Sequence, residues 1–342
     1  MPAEWTSQEA VWLSWPSNRE SAPATYDTLQ DKFGEIAAAI SRFEKVRINA
    51  PAAMHHSICL HIMDYEGELD HCQLYDHPTN DVWCRDHGPI FVKDRKSGVV
   101  SVTDWQFNAW GGKFPPWDLD NQIPQRVSEA LKLSRAESSM ILEGGSIEVN
   151  GEGVLLTTEA VLLNKNRNPD WTKAKIEAEL RRLLGVETIF WLGKGIEGDD
   201  TDGHIDDITR FIREDAVLTM VEASESDPNY KTLQENKERL QDLRTADGSS
   251  VQVIPLEMPT ALTPKKKGWR LERLPASYAN FLILNNAVLV PTFRQRKADK
   301  KALGVIAECF PGREIIGIES TDLLFEGGAL HCISQQQPAS GL

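Results

Sequence analysis

An α/β fold is predicted by two features of the sequence. Short runs of β-forming residues alternate with amphipathic stripes at helical spacing, and one Glu-Gly-Gly segment recurs far along the chain. Leu29, Phe33, Ile36, Ile40 and Phe43 recur every three or four residues and predict the first helix. A strand over 45–49 and a short helix over 52–63 follow. Strands over 90–92 and 99–102 precede a helix marked by Ile123, Val127, Ala130 and Leu131. After a strand over 154–157, Thr172 is placed to cap a helix carrying Ile176, Leu180, Leu183 and Leu184, with Gly185 as its stop signal. A strand over 216–221 leads to a weaker stripe of Tyr230, Leu233, Leu240 and Leu243. Strands over 251–254 and 287–291 come next. Ala302, Leu303, Ile306 and Phe310 predict the last helix, ended by Pro311-Gly312.

The repeated segment joins Leu142-Glu143-Gly144-Gly145-Ser146-Ile147-Glu148-Val149 to Phe325-Glu326-Gly327-Gly328-Ala329-Leu330-His331-Cys332. With about half a dozen helices between strands, it suggests one array of repeated units. No low-complexity tract or long Gly/Ser linker marks a hinge, so a single domain over 1–342 is expected.

The chain has 342 residues, 41% of them hydrophobic, and a formal net charge of −14. That length is ample for a large buried core. An acidic chain is a poor candidate for tracking nucleic-acid phosphates or anionic membranes, and it tolerates a small cationic ligand. Apolar stretches such as 281–284 fall far short of the roughly 20 residues that span a bilayer. The start, Met1-Pro2-Ala3-Glu4-Trp5, lacks a basic region followed by an apolar one, so no signal peptide is expected. Cysteines at 59, 72, 84, 309 and 332 are an odd set without a CxxC pair. A reducing, cytoplasmic setting is the simpler reading.

Several segments carry candidate chemistry. Cys332 follows paired glycines and precedes Ser334-Gln335-Gln336-Gln337, so it reads either as an exposed nucleophilic thiol or as a buried structural cysteine. Gly198-Asp199-Asp200-Thr201-Asp202-Gly203-His204-Ile205-Asp206-Asp207 reads as a loop entering a strand. His204 beside carboxylates suits general acid/base work. The alternatives are a solvated acidic loop and a calcium site, and the EF-hand spacing fails. Trp83 and Asp86, in Trp83-Cys84-Arg85-Asp86-His87, can offer an aromatic face and a carboxylate to a cation; a surface Arg85–Asp86 ion pair is the bland alternative. His55, His56, Cys59, His61, His71, Cys72 and His77 are dense, but their spacings match no usual zinc pattern, which favours structural roles.

Taken in order, these segments resemble agmatine deiminases of the guanidine-modifying (pentein) superfamily, in the group that includes bacterial-type peptidylarginine deiminases. The resemblance is nearly chain-wide. It includes Trp83-Cys84-Arg85-Asp86, Asn108-Ala109-Trp110-Gly111-Gly112-Lys113, Leu142-Glu143-Gly144-Gly145-Ser146-Ile147, Leu163-Asn164-Lys165-Asn166-Arg167-Asn168-Pro169, Gly203-His204-Ile205-Asp206 and His331-Cys332-Ile333-Ser334-Gln335-Gln336-Gln337-Pro338-Ala339.

The resemblance implies a five-bladed α/β propeller with pseudo-fivefold symmetry and an active site near its axis. It implies Cys332 as nucleophile, His204 as general acid/base, Asp86 and Asp206 as the carboxylates that grip a guanidinium, and Glu143 as a supporting acid. Trp83, Trp110 and Gln335 would line the substrate slot, and Asp200 would hold a distal amine. The implied reaction is deimination of agmatine to N-carbamoylputrescine and ammonia, with no metal or organic cofactor. A deiminase of arginine or peptidyl-arginine is the rival. A non-catalytic pentein would not need this residue set, and a cysteine protease would not need the extra carboxylates. A small cationic guanidine is the implied partner, with neither nucleic acid nor membrane. A homo-oligomer is possible, since the sequence leaves the oligomeric state open. The chain departs from the family at His87, where Thr is frequent, at Glu148, where His is frequent, and at Ala329, where Asn or a similar residue is frequent. These departures touch substrate identity.

Overall fold

The computed structural model of the chain describes residues 1–264 and 272–341. Two compact units share the chain. The first comprises Met1–Trp5, Gly145–Ile283 and Val288–His331; the second comprises Thr6–Gly144, Leu284–Ala287 and Cys332–Leu342.

The second unit contains two sheets. One takes β1 (Gln8–Ser14), β2 (Lys45–Ala50), β3 (Cys72–Asp76) and the C-terminal β16 (Ser334–Pro338), in the order β16-β1-β2-β3. The other is β4 (Ile90–Lys93), β5 (Val100–Gln106) and β6 (Arg135–Ile141). The first unit contains three: β7 (Ile147–Val149), β8 (Val154–Thr158) and β9 (Thr188–Leu192); β10 (Thr209–Arg213), β11 (Ala216–Val221) and β12 (Gln252–Glu257); and β13 (Leu282–Ile283), β14 (Ala287–Thr292) and β15 (Glu314–Glu319).

One plan repeats in all five sheets. An antiparallel pair opens each: β16–β1, β4–β5, β7–β8, β10–β11 and β13–β14. A helix then leads from the second strand of the pair to the next strand, through Tyr26–Ser41, Ile123–Leu131, Lys173–Leu184, Asn229–Arg239 and Arg296–Cys309 in turn. In four sheets that next strand pairs in parallel, as β1–β2, β5–β6, β8–β9 and β11–β12 do. A parallel neighbour requires such a crossover, and a helix laid on the sheet buries both apolar faces.

The helices cover most of each predicted stripe, although Phe43, Leu240, Leu243 and Phe310 lie just past the helix ends. Leu29, Phe33, Ile36 and Ile40 are the buried side of Tyr26–Ser41. Thr172 accepts a hydrogen bond from the Lys175 amide at 3.3 Å, and Gly185 closes that helix in the left-handed region. Packing completes each unit. Phe211, Leu218, Met220, Leu233, Phe281 and Ile306 belong to one large buried cluster in the first unit. Trp12, Cys84, Phe91, Val102, Ile123 and Val127 cluster in the second.

The sequence reading missed several strands. β16 is written Ser-Gln-Gln-Gln-Pro, which no hydropathy pattern marks, yet all five residues are buried. Two of its glutamines meet distant donors: Gln337 Oε1 accepts from Trp12 Nε1 at 2.9 Å and from Arg47 Nη1 at 2.5 Å, and Gln336 Oε1 accepts from Arg85 Nη1. The internal repeat is also out of register with the strands. Glu143 stands four residues before β7, whereas Glu326 stands eight before β16. The two segments share a location ahead of an opening strand rather than an alignment of residues.

Candidate active site

The segment entering the opening strand of each sheet is where the chemistry-bearing residues collect. Trp83 to His87 precedes β4, Glu143 precedes β7, His204 to Asp207 precedes β10, Ser277 to Asn280 precedes β13, and His331 with Cys332 precedes β16. Repetition of one backbone plan therefore gives five equivalent places to mount a side chain.

In the second unit, backbone contacts hold three of these segments together. The Arg85 amide donates to the Cys332 carbonyl at 3.1 Å. A Cβ on Gly144 would lie 2.1 Å from the Arg85 carbonyl oxygen, so only glycine allows this approach. Arg85 Nη1 donates to Gln336 Oε1 at 2.6 Å, fixing the strand that follows Cys332. Asp86, Glu143 and Cys332 are all buried there, at 5%, 0% and 6% exposure. The possibility of an exposed thiol at Cys332 is thus corrected: the polar residues after it form a buried strand rather than a solvated tail. The surface Arg85–Asp86 pair is likewise replaced, since both residues are buried.

Trp110 Nε1 donates to Asp86 Oδ2 at 2.9 Å, which aims that carboxylate. Trp110 reaches it from a left-handed turn. Ala109, Trp110, Gly111 and Gly112 all have positive φ, and Asn108 Oδ1 accepts from the Gly111 amide at 2.8 Å. Positive φ at a tryptophan is a strained choice that persists only where surroundings impose it. Trp83 is buried, and Gln335 is a buried residue of β16 opposite Trp12.

Three histidines of the dense His/Cys tract bond other groups of the chain. His55 Nε2 meets the Ala50 carbonyl at 3.3 Å, His71 Nδ1 the Ser41 carbonyl at 2.6 Å and His77 Nδ1 Asn49 Oδ1 at 3.0 Å. His87 Nε2 bonds Ser14 Oγ at 2.9 Å. Its Nδ1 lies 3.9 Å from Asp120, but this is not an ion pair. Burial lowers the imidazole to about 3, and burial with the charge of Asp81 pushes the Asp120 carboxyl well above its ordinary value.

In the first unit, the acidic loop proves to be a scaffold around His204. Asp199 accepts from the Thr201 amide at 2.8 Å and the His204 amide at 2.9 Å. Asp202 accepts from Arg167 Nη1 at 2.7 Å and Asn166 Nδ2 at 3.0 Å. Of the three neighbouring acids, Asp199 and Asp202 are thereby committed to holding the loop, and Asp200 is half-buried beside them. This also explains the Asn166-Arg167 motif, whose guanidinium neutralises the loop from within.

His204 and Asp206 are buried. Asp206 belongs to a chain of ionisable groups that sequence reasoning did not find. His331 Nδ1 lies 2.7 Å from Asp206 Oδ2, and His331 Nε2 lies 2.9 Å from Glu4 Oε2. Arg210 Nη2 donates to Glu4 Oε2 at 2.6 Å, and Arg210 Nε to Glu148 Oε2 at 2.8 Å. Burial alone would raise the Asp206 carboxyl. The hydrogen bond from His331 and the charges of His331, His204 and Arg210 outweigh it and leave the group below its ordinary value. Its neighbour Asp207 goes the other way, pushed well above by burial and by Asp206 and Asp199. Glu148, one of the departures, is thus an ion-pair partner, and Ala329 is part of the apolar cluster. Glu4 lies 327 positions from His331 in sequence, and no local pattern could have signalled the contact.

Five repeats of a strand pair, helix and further strand, with an acid, histidine or thiol ahead of the opening strand in four of them, make up the pentein plan of guanidine-modifying proteins. A DDAH from Pseudomonas aeruginosa, 11% identical, shares this fold at a TM-score of 0.50 over 96% of this chain and 99% of its own. The model of the Porphyromonas-type peptidyl-arginine deiminase family matches residues 1–338, and the chain belongs to that family. An agmatine deiminase of Medicago truncatula is 38% identical over 99% of this chain and 96% of its own length. The solved agmatine deiminase of Enterococcus faecalis is 32% identical, with a TM-score of 0.91 over 99% of this chain and 95% of its own.

Proposed function

We propose that the chain is an agmatine deiminase, a hydrolase that converts agmatine and water into N-carbamoylputrescine and ammonia. The observation that carries this reading is the full-length match to agmatine deiminases, 38% identical in one case, which leaves no part of the chain outside the comparison except its last residues. Every residue that a cysteine-based deimination needs is present in the sequence, and each is buried.

A guanidinium is a poor electrophile because its charge is spread over three nitrogens. Asp86 and Asp206 grip it by charge-assisted hydrogen bonds and keep its positive charge in place. The Cys332 thiolate adds to the central carbon. His204 protonates one amino nitrogen, which leaves as ammonia, and an amidino-cysteine remains. Water, giving its proton to His204, adds to that carbon, and the C–S bond breaks to return the thiol and release the ureido product. Glu143 assists the histidine and the substrate nitrogens. Trp83, Trp110 and Gln335 line the slot, and Asp200 takes the distal ammonium. The whole chain acts as one catalytic domain, a reading supported by the way both units draw on separate stretches of it. A reducing cytoplasm suits five cysteines that no disulfide joins; no helix among the described residues is long and apolar enough to cross a membrane.

The test is ammonia release from agmatine, free arginine and a peptidyl-arginine substrate, measured side by side. Agmatine is expected to have the highest kcat/KM by at least tenfold. Cys332→Ala is expected to abolish turnover and keep the wild-type circular dichroism. Undiminished turnover in that variant overturns the mechanism, and a preference for peptidyl-arginine overturns the substrate.

A further inference from the structure

The imidazole of His331 stands between two carboxylates. Its Nδ1 faces Asp206 Oδ2 at 2.7 Å and its Nε2 faces Glu4 Oε2 at 2.9 Å, with all three side chains buried. A neutral imidazole has one N–H and one lone pair, whereas an imidazolium donates from both nitrogens. Two ionised carboxylates at these distances therefore require a proton on each ring nitrogen. The alternative is a neutral ring with one carboxyl protonated.

The neighbouring groups favour the first arrangement. Glu4 is built as an anion: besides His331, it accepts from Arg210 Nη2 at 2.6 Å and, through Oε1, from the Ile283 amide at 2.9 Å. A guanidinium and a backbone amide donating to one carboxylate favour its charged form. Arg210 is held in turn by Glu148 Oε2 and by the Ala279 and Phe281 carbonyls. Two further charged or titratable neighbours act on the Asp206 end. His204 favours its ionised form, and Asp207, which accepts from Asn280 Nδ2 at 2.9 Å, is pushed towards its neutral form. The His331 amide donates to Asn280 Oδ1 at 2.9 Å, so the backbone beneath the ring is fixed as well.

We propose that His331 is a buried imidazolium that acts as a positioning residue, holding Asp206 ionised and oriented, with Glu4 from the N-terminal segment as its counter-ion and Arg210 as the clamp on Glu4. This deepens the deiminase reading and rests on it for the role of Asp206. The residue beside the nucleophile thereby serves the guanidinium grip rather than the thiol. The fold uses the first few residues of the chain to set the charge of a group more than three hundred positions away.

Two experiments on the full chain test this. In 15N-histidine NMR, the His331 ring resonances, assigned by their loss in His331→Asn, are expected to report both nitrogens protonated at neutral pH. In Glu4→Gln, they are expected to change to those of a neutral ring protonated at Nδ1. A neutral ring in the unmodified protein overturns the proposal whatever the enzyme acts on, so its failure is separable from failure of the substrate assignment. In kinetics with agmatine, His331→Asn keeps a donor to Asp206 but removes the charge. Glu4→Gln removes the counter-ion at constant shape. Each is expected to lower kcat/KM about ten- to a hundredfold, chiefly through KM, and to move the acid limb of its pH profile upward. A variant that merely folds less well would lower kcat in proportion to folded protein and leave the limb in place, and that outcome overturns the positioning role. Should both variants fail to fold, the His331 ring signals are assigned instead through the backbone resonances of the unmodified protein, and their protonation state decides.

Discussion

At the scale of single residues, burial sets the charge of groups that look alike in sequence. His87 and His331 each follow or precede a catalytic candidate by one position. His87 faces a serine hydroxyl and the buried Asp120 carboxyl, and burial lowers it to about 3 from its ordinary 6.5. Unfolding restores the ordinary value, so the unfolded chain gains a proton at this site first as pH falls. The stability held above the ordinary value is lost between there and about 3, at up to about 1.4 kcal/mol per pH unit. Asp120 has the opposite sign, because its raised carboxyl is less unfavourable when protonated. Urea midpoints followed across acidic pH should therefore fall less steeply in His87→Gln than in the unmodified protein. Parallel curves would show that His87 does not contribute.

At the scale of elements, the turns entering the opening strands decide where the proposed catalytic side chains sit. Gly203, directly before His204, has φ +119, and a Cβ there would stand 2.5 Å from the Gly195 amide nitrogen. Thr158 Oγ1 also donates to the Gly203 carbonyl at 2.7 Å, tying the turn to β8. Gly203→Ala is expected to destabilise the protein by about 1–3 kcal/mol. It should lower kcat on agmatine more than the loss of folded protein accounts for, since His204 is displaced. Thermal denaturation and active-site titration separate the two effects; wild-type kcat per active site would contradict the argument. The stripes of the crossover helices were readable because a buried face imposes a period on sequence. β16 was not, because its buried glutamines satisfy hydrogen bonds to Trp12, Arg47 and Arg85 that the sequence does not announce.

At the scale of the whole molecule, a net charge of −14 surrounds a proposed dicationic substrate. Long-range attraction of this kind raises encounter rates and is screened by salt. The kcat/KM for agmatine is expected to fall several-fold from low salt to about 1 M, with kcat nearly constant. An unchanged kcat/KM would mean that the surface charge serves solubility alone. Part of the acidic surplus is spent internally: Asp199 and Asp202 brace a loop, and Glu4 and Glu148 flank a buried arginine.

The sequence by itself determined the α/β class, the positions of the main helices and the identity of the chemistry-bearing segments. Helix periodicity and helix-stop glycines are local consequences of burial and backbone geometry, so they are written in neighbouring residues. Cys332, His204, Asp86, Asp206 and Glu143 were brought together as a set by the resemblance of their motifs to agmatine deiminases. Tertiary structure alone decided that Cys332 is buried, that Trp110 aims Asp86 from a left-handed turn, and that Asp199 and Asp202 support a loop. It alone joined Glu4, His331, Asp206 and Arg210. Charge states and hydrogen-bond partners depend on which distant groups share a dry interior, and only the folded chain specifies that.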